Sequence, residues 1–160
     1  MDFFWHFLFL TANWVPTVLS YNLIFGKGKI LHFGPIGVVL VSSYVSVLTL
    51  QATQSFFLAF LAGLIGSLLI SALFAWLSFR LDPDGLGIMS IALHLAIIAV
   101  ILNWTSLTRG ALGIPKIPHM PFLTSPMSSA IAMMIIAGLW IAFMEILNRS
   151  AYGRQLTALA

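Results

Sequence analysis

Apolar residues along this chain do not alternate with polar ones. They run in long blocks, separated by short stretches where charges, prolines and glycines collect. A helix needs about 20 mostly apolar residues to cross a hydrocarbon core of about 30 Å. Five blocks qualify, at approximately 3–25, 35–50, 56–79, 86–105 and 126–147. The stretch 30–79 carries no Asp, Glu, Lys or Arg and is too long for one crossing. Gln51, Thr53, Gln54 and Ser55 divide it into two. The blocks are apolar on every face, whereas strands of a membrane barrel alternate. Backbone groups in lipid must be satisfied within their own segment, so these blocks predict helices. The expected fold is all-α: a polytopic membrane helix bundle of about five transmembrane helices, forming one transmembrane domain over 1–160.

Within the third block, Ala59, Gly63, Ser67, Ser71 and Ala75 recur every four residues. That spacing lays small side chains along one helical stripe, where another backbone can approach closely. The stripe predicts helix packing, with a gate or sliding contact as the alternative. Between the fourth and fifth blocks, 104–125 holds Gly110, Gly113, Pro115, Pro118 and Pro121, with Pro126 just beyond. Prolines at this density forbid a continuous helix. Leu112, Ile114, Ile117, Met120 and Phe122 make the segment too apolar for a solvated linker, so it predicts a structured cap. Between the first and second blocks, Gly26-Lys27-Gly28-Lys29-Ile30-Leu31-His32-Phe33-Gly34 lacks the spacing of a phosphate-binding loop. Gly26 and Gly34-Pro35 mark either a broken helix lining a cavity or a simple turn.

Composition supports the membrane reading. Charged residues are 7% and hydrophobic residues 61% of the 160, against roughly a quarter and a half in soluble domains. An ordinary cytosolic enzyme and a disordered chain are both excluded. The seven cations are scattered between blocks, which points away from nucleic acid. Their distribution predicts orientation. Lys27, Lys29, Arg80, Arg149 and Arg154 fall in alternate loops, against Arg109 and Lys116 on the other side. The richer side should be cytoplasmic, placing the N-terminus outside, the C-terminus inside and the proline-rich loop on the extracytoplasmic face. With Asp2 at the start and no basic run, no cleaved leader is expected.

Little chemistry is available. There is no cysteine, hence no disulfide or thiolate site. His6, His32, His94 and His119 never fall at helical i,i+3 or i,i+4 spacing, so no metal pair is presented. His94 lies mid-block and is a functional candidate on that ground, or a neutral imidazole bonded to a neighbouring helix. Asp82 and Asp84 read as turn formers. Glu145 and Arg149 form an i,i+4 pair of the favoured order. No cofactor and no metal site is expected, nor any catalytic residue, which favours translocation or assembly over catalysis.

Three segments carry a family resemblance. The first runs from Asn22-Leu23-Ile24-Phe25-Gly26 through Leu31, Gly34 and Tyr44. The second is Leu102-Asn103-Trp104-Thr105-Ser106-Leu107-Thr108, followed by Gly110, Gly113-Ile114-Pro115 and Ile117-Pro118. The third is Arg149-Ser150-Ala151-Tyr152-Gly153-Arg154-Gln155-Leu156. In this order they resemble the inner-membrane permease subunits of branched-chain amino acid ABC transporters, over about 20–160. The chain departs from the family's first motif at Lys29, His32 and Pro35. It also carries Leu95 and Ile98 where family members usually have an acidic and a basic residue.

The resemblance implies a periplasm-facing cap for the second segment. It implies a cytoplasmic place near the coupling region for Arg149, Ser150, Tyr152, Gly153 and Arg154. It also implies partners: a second permease subunit or a C-terminal half, ATPase subunits that bind the ATP, a periplasmic solute-binding protein, and the lipid bilayer. Family permeases continue beyond the third segment, so the chain corresponds to the N-terminal half. The expected function is a permease component of an importer for branched-chain or related amino acids. Asn22, Gly26, Gly34, His94, Asn103 and Trp104 are the candidates for the translocation pathway. The alternative is a non-transporting scaffold derived from such a permease.

Overall fold

The structure is a computed structural model, and it describes residues 2–118, 120 and 123–159. His119, Pro121 and Phe122 lie outside the described residues, as does the side chain of Leu156. Every regular element described is helical. Five are long and apolar enough to cross a membrane, at Asp2–Lys27, Gly34–Thr53, Phe56–Ser78, Pro83–Asn103 and Pro126–Arg149, with mean hydropathy from 1.2 to 2.5. The fold is all-α and polytopic, and the chain is a multi-pass membrane protein.

The helices are α1 (Asp2–Tyr21), α2 (Gly34–Thr53), α3 (Phe56–Ser78), α4 (Pro83–Asn103), the single turn α5 (Thr105–Thr108), α6 (Pro126–Arg149) and α7 (Ala151–Leu159). A π-helical segment, Asn22–Lys27, extends α1. They fall into two compact units. One holds α1, its π-helical extension, α6 and α7; the other holds α2 through α5.

In the first unit α6 packs along α1. Its buried residues Ala130, Ala137 and Met144 are seven apart and so share one face. Ser125 caps α6: its Oγ accepts from the Ser128 N–H at 3.1 Å, and the Ser128 hydroxyl reaches back to the Ser125 N–H at 3.2 Å. Pro126 takes the first helical position, where its missing N–H costs nothing.

In the second unit α2 and α3 form a tight pair. Two residues join them. Gln54 closes α2 in the left-handed region (φ 54°), with its N–H on the Leu50 carbonyl, and the Ser55 hydroxyl accepts from the Leu58 N–H. The contact runs through absent side chains. A Cβ at Gly63 would collide with the Ser46 hydroxyl and lie 3.2 Å from the Ser42 carbonyl oxygen. One at Gly66 would meet only Val45, at an ordinary 3.5 Å. α4 completes the unit against α2. It starts at Pro83, three residues before the predicted 86, because Asp82 stands extended at its N-cap and Pro83 and Asp84 suit a first turn. It ends at Asn103 because Trp104 leaves helical geometry.

At most 17% of any span's most apolar stretch is buried within the chain. The apolar surfaces of these helices therefore meet lipid or other subunits. Replacing Gly63 by Leu should force α2 and α3 apart and cost about 1–3 kcal/mol, whereas Gly66→Ala should be nearly neutral. Thermal unfolding of the two variants in one detergent checks the contrast, and equal Tm values would contradict the packing described.

Candidate functional site

Three corners of the chain are shaped by polar contacts, and two of them hold long-range hydrogen bonds. The first is the non-helical link before α2. The Phe33 N–H donates to the Ser90 Oγ on α4 at 2.9 Å, and Ser90 in turn donates to the Gly87 carbonyl at 2.8 Å. Ser90 is fully buried. The His32 ring packs edge-on against Phe74 of α3, with centroids 4.9 Å apart, and fills the space a Gly34 side chain would need. Burial holds the His32 pKa below the ordinary 6.5, since the charged imidazole loses solvation there.

The second corner follows α4. The Thr108 hydroxyl lies within donating distance of the Ile101 and Trp104 carbonyls, and it accepts from the Gly110 N–H at 3.2 Å. Arg109 and Gly110 are both left-handed, with φ of 60° and 57°, which turns the chain back. A side chain at Gly110 would press on the Leu102 carbonyl. Beyond this turn the Gln51 side-chain amide donates to the Pro115 carbonyl at 2.9 Å, tying the proline-rich loop to α2. Ile114 and Ile117 then line a cavity of about 180 Å³ with Ser43, Tyr44 and Val47.

The third corner joins α6 to α7. The Ser150 hydroxyl accepts from the Gly153 N–H at 3.3 Å, and the Arg154 guanidinium donates to the Arg149 carbonyl at 2.7 Å. Gly153 is buried, and a Cβ there would sit 2.5 Å from the Asn148 carbonyl oxygen and 2.7 Å from that of Leu147. The serine caps the new helix, the glycine permits the close approach, and the arginine covers a carbonyl of the old one. Arg149 also pairs with Glu145 at 2.8 Å on an exposed face. Tyr152 is exposed.

The predicted pathway residues are distributed over these places. Asn22 and Gly26 stand together in the π-helical extension, where the Asn22 Oδ1 occupies the space beside the bare Gly26 α-carbon. Gly34 and His94 lie in the α2–α4 unit. Gly34 is against His32 and Phe74, and the His94 Nδ1 is 3.7 Å from where a Gly37 Cβ would stand. Asn103 and Trp104 are at the other end of α4. Asn103 bonds the Ala99 carbonyl of its own helix. Trp104 lines an apolar groove of about 340 Å³ with Tyr44, Leu48, Ile97 and Thr108. Of the α3 stripe, Ala59 and Gly63 are buried, Ser67 is half-buried, and Ser71 and Ala75 are exposed. Gly66 and Phe74 complete the buried face instead. In the other unit His6, Thr124, Ser125 and Ser129 line a cavity of about 450 Å³ between α1 and α6. The sequence reading missed Ser90 and Phe74. A serine four residues before His94 and a phenylalanine in an apolar run give no signal until the link before α2 is folded against them. Among the described residues no three His, Asp or Glu side chains gather as a metal site.

The family model for the permease component of branched-chain amino acid transport systems matches residues 4–160. The chain belongs to that family. No curated protein and no solved structure matches it. In this family member the two segments that carried the resemblance most specifically are the corners around Thr108 and Ser150. Their residues bond backbone groups at helix ends.

Thr108→Val should leave the Gly110 N–H without its acceptor, and should lower stability by about 1–3 kcal/mol, read as a drop in Tm. Gly153→Ala should open the α6–α7 corner. Limited trypsin digestion should then cut several times faster at Arg154, and an unchanged rate would contradict the close approach.

Proposed function

We propose that this chain is the membrane-spanning permease component of an ABC-type importer for branched-chain or related amino acids. The observation that carries this reading is the family match across 4–160, on a chain with five membrane-competent helices. In the proposed assembly the chain sits in the inner membrane with its N-terminus outside and α7 in the cytoplasm. It pairs with a second permease chain or a C-terminal half, receives solute from a soluble binding protein, and depends on ATPase subunits for energy. Hydrolysis takes place on those subunits, and this chain supplies part of the pathway.

The α6–α7 corner would stand at the cytoplasmic face, where a rigid bend can pass motion from an ATPase to α6. The proline-rich loop, tied down by Gln51, would cap the opposite face. Asn22, next to Gly26 in the π-helical extension, offers an amide on an exposed surface, and π-helical turns recur at functional sites. A carboxamide there would replace part of the hydration of a zwitterionic solute.

Uptake of labelled leucine into proteoliposomes holding the chain with its ATPase and partner subunits tests the proposal. Uptake should require ATP and the binding protein. Asn22→Leu should reduce it several-fold while leaving assembly intact. Normal uptake by that variant would remove Asn22 from the pathway. A native complex containing this chain but no ATPase, and transporting nothing, would favour the scaffold reading.

A further inference from the structure

Residues 31–34 touch all three long helices of their unit within four positions. Leu31 lies over bare Gly87 on α4, where an added Cβ would be 3.1 Å from the Leu31 Cδ2. His32 covers Gly34 at the start of α2 and packs on Phe74 of α3. The Phe33 N–H is held by the buried Ser90 of α4. The segment is a strap across one end of the unit, and an imidazole is at its centre.

We propose that this strap is a proton-sensitive clasp: it is closed when His32 is neutral, and protonation of His32 releases it from Phe74 and Ser90. The Nδ1 of His32 is enclosed, with no hydrogen-bond partner among the described residues. Protonation puts an N–H on both ring nitrogens, so Nδ1 would become a buried donor without an acceptor on a charged ring. A cation against the Phe74 ring recovers part of that cost, but the enclosed donor is relieved only when the ring moves to water. His32 itself meets Gly34 of α2 and Phe74 of α3; on α4, Ser90 holds the neighbouring Phe33 N–H, and His94 lies by Gly37, one turn along α2 from Gly34. His94 is the titratable group of that set, and its Nδ1 is likewise enclosed without a partner. It is a second base, so it adds no compensating negative charge. The nearest charges in sequence are Lys29 in the same loop and Arg80, Asp82 and Asp84 on the α3–α4 turn; none is ion-paired with His32.

The lowered pKa agrees in sign. The unfolded chain binds a proton more readily than the closed clasp does, so closure is fully favoured above the ordinary 6.5 and weakens as pH falls below it, through the folded value. The inference goes beyond the transport reading and does not need it.

The test is hydrogen exchange of the full chain in lipid nanodiscs, following the amides of 31–37 as protection factors corrected for intrinsic exchange. Protection of the Phe33 amide should fall several-fold between about pH 7.5 and about pH 5.5. His32→Phe should abolish the fall, and His94→Phe should retain it. A constant wild-type protection, or the same fall in His32→Phe, would overturn the proposal. Should His32→Phe fail to insert, NMR titration of the wild-type imidazoles decides. A His32 value below the ordinary 6.5 supports the clasp, and one at or above it overturns the clasp.

Discussion

Nearly everything polar in this chain answers one constraint: a backbone N–H or carbonyl in an apolar medium must be bonded from within the protein. Helices meet that constraint along their length and fail it at their ends. The side chains that matter most are therefore those that cover helix ends. Ser125 and Ser128 cover the start of α6, Ser150 and Arg154 the corner into α7, and Thr108 the end of α4. The chain has few charges and no cysteine to spend elsewhere. Hydroxyls do the capping because they can donate or accept as the turn requires.

The same constraint explains how the helices meet. Lipid is as apolar as a leucine side chain, so burying leucine against leucine gains little in a membrane. Close backbone approach and short polar contacts must supply the attraction instead. Gly63 lies against Ser46 and the Ser42 carbonyl, Gly34 against His32, and Gly87 against Leu31. Each is a place where a missing side chain lets a neighbour in. Leucines and phenylalanines of α3 other than Phe74, by contrast, are partly or fully exposed, Phe57, Phe60, Leu68 and Leu69 among them. That inversion is what a helix in lipid should show.

Five helices long and apolar enough to span were legible because length and hydropathy alone decide that property, and the expected all-α fold is the one observed. Their ends were less so. α4 begins three residues before the expected 86, because Asp82 and Asp84, turn formers by type, serve equally well at a helix start beside Pro83. The stripe 59, 63, 67, 71, 75 assumes a repeat of four, but a helix turns in 3.6 residues. The buried face accordingly drifts from Gly63 to Gly66 and then to Phe74, leaving Ser71 and Ala75 exposed. The pathway candidates Asn22, Gly26, Gly34, His94, Asn103 and Trp104 are legible by type and position along the chain, which say nothing of tertiary neighbours. Ser90 and Phe74 acquire their roles only through a link some 57 residues away in the case of Phe33 and Ser90. The family motifs were legible as motifs, but the reason for each residue is the geometry of a helix corner.

The central claim is a chain that crosses the membrane five times and turns at corners built from hydroxyls, glycine and arginine. It is tested most directly by topology mapping, which the absence of cysteine makes clean. Single cysteines at Lys29, Lys116 and Gln155, probed with a membrane-impermeant maleimide, report the side on which each lies. The account predicts that Lys116→Cys is labelled in intact cells, and that Lys29→Cys and Gln155→Cys are labelled only after the membrane is opened. Labelling of Lys116→Cys and Gln155→Cys from the same side would contradict it.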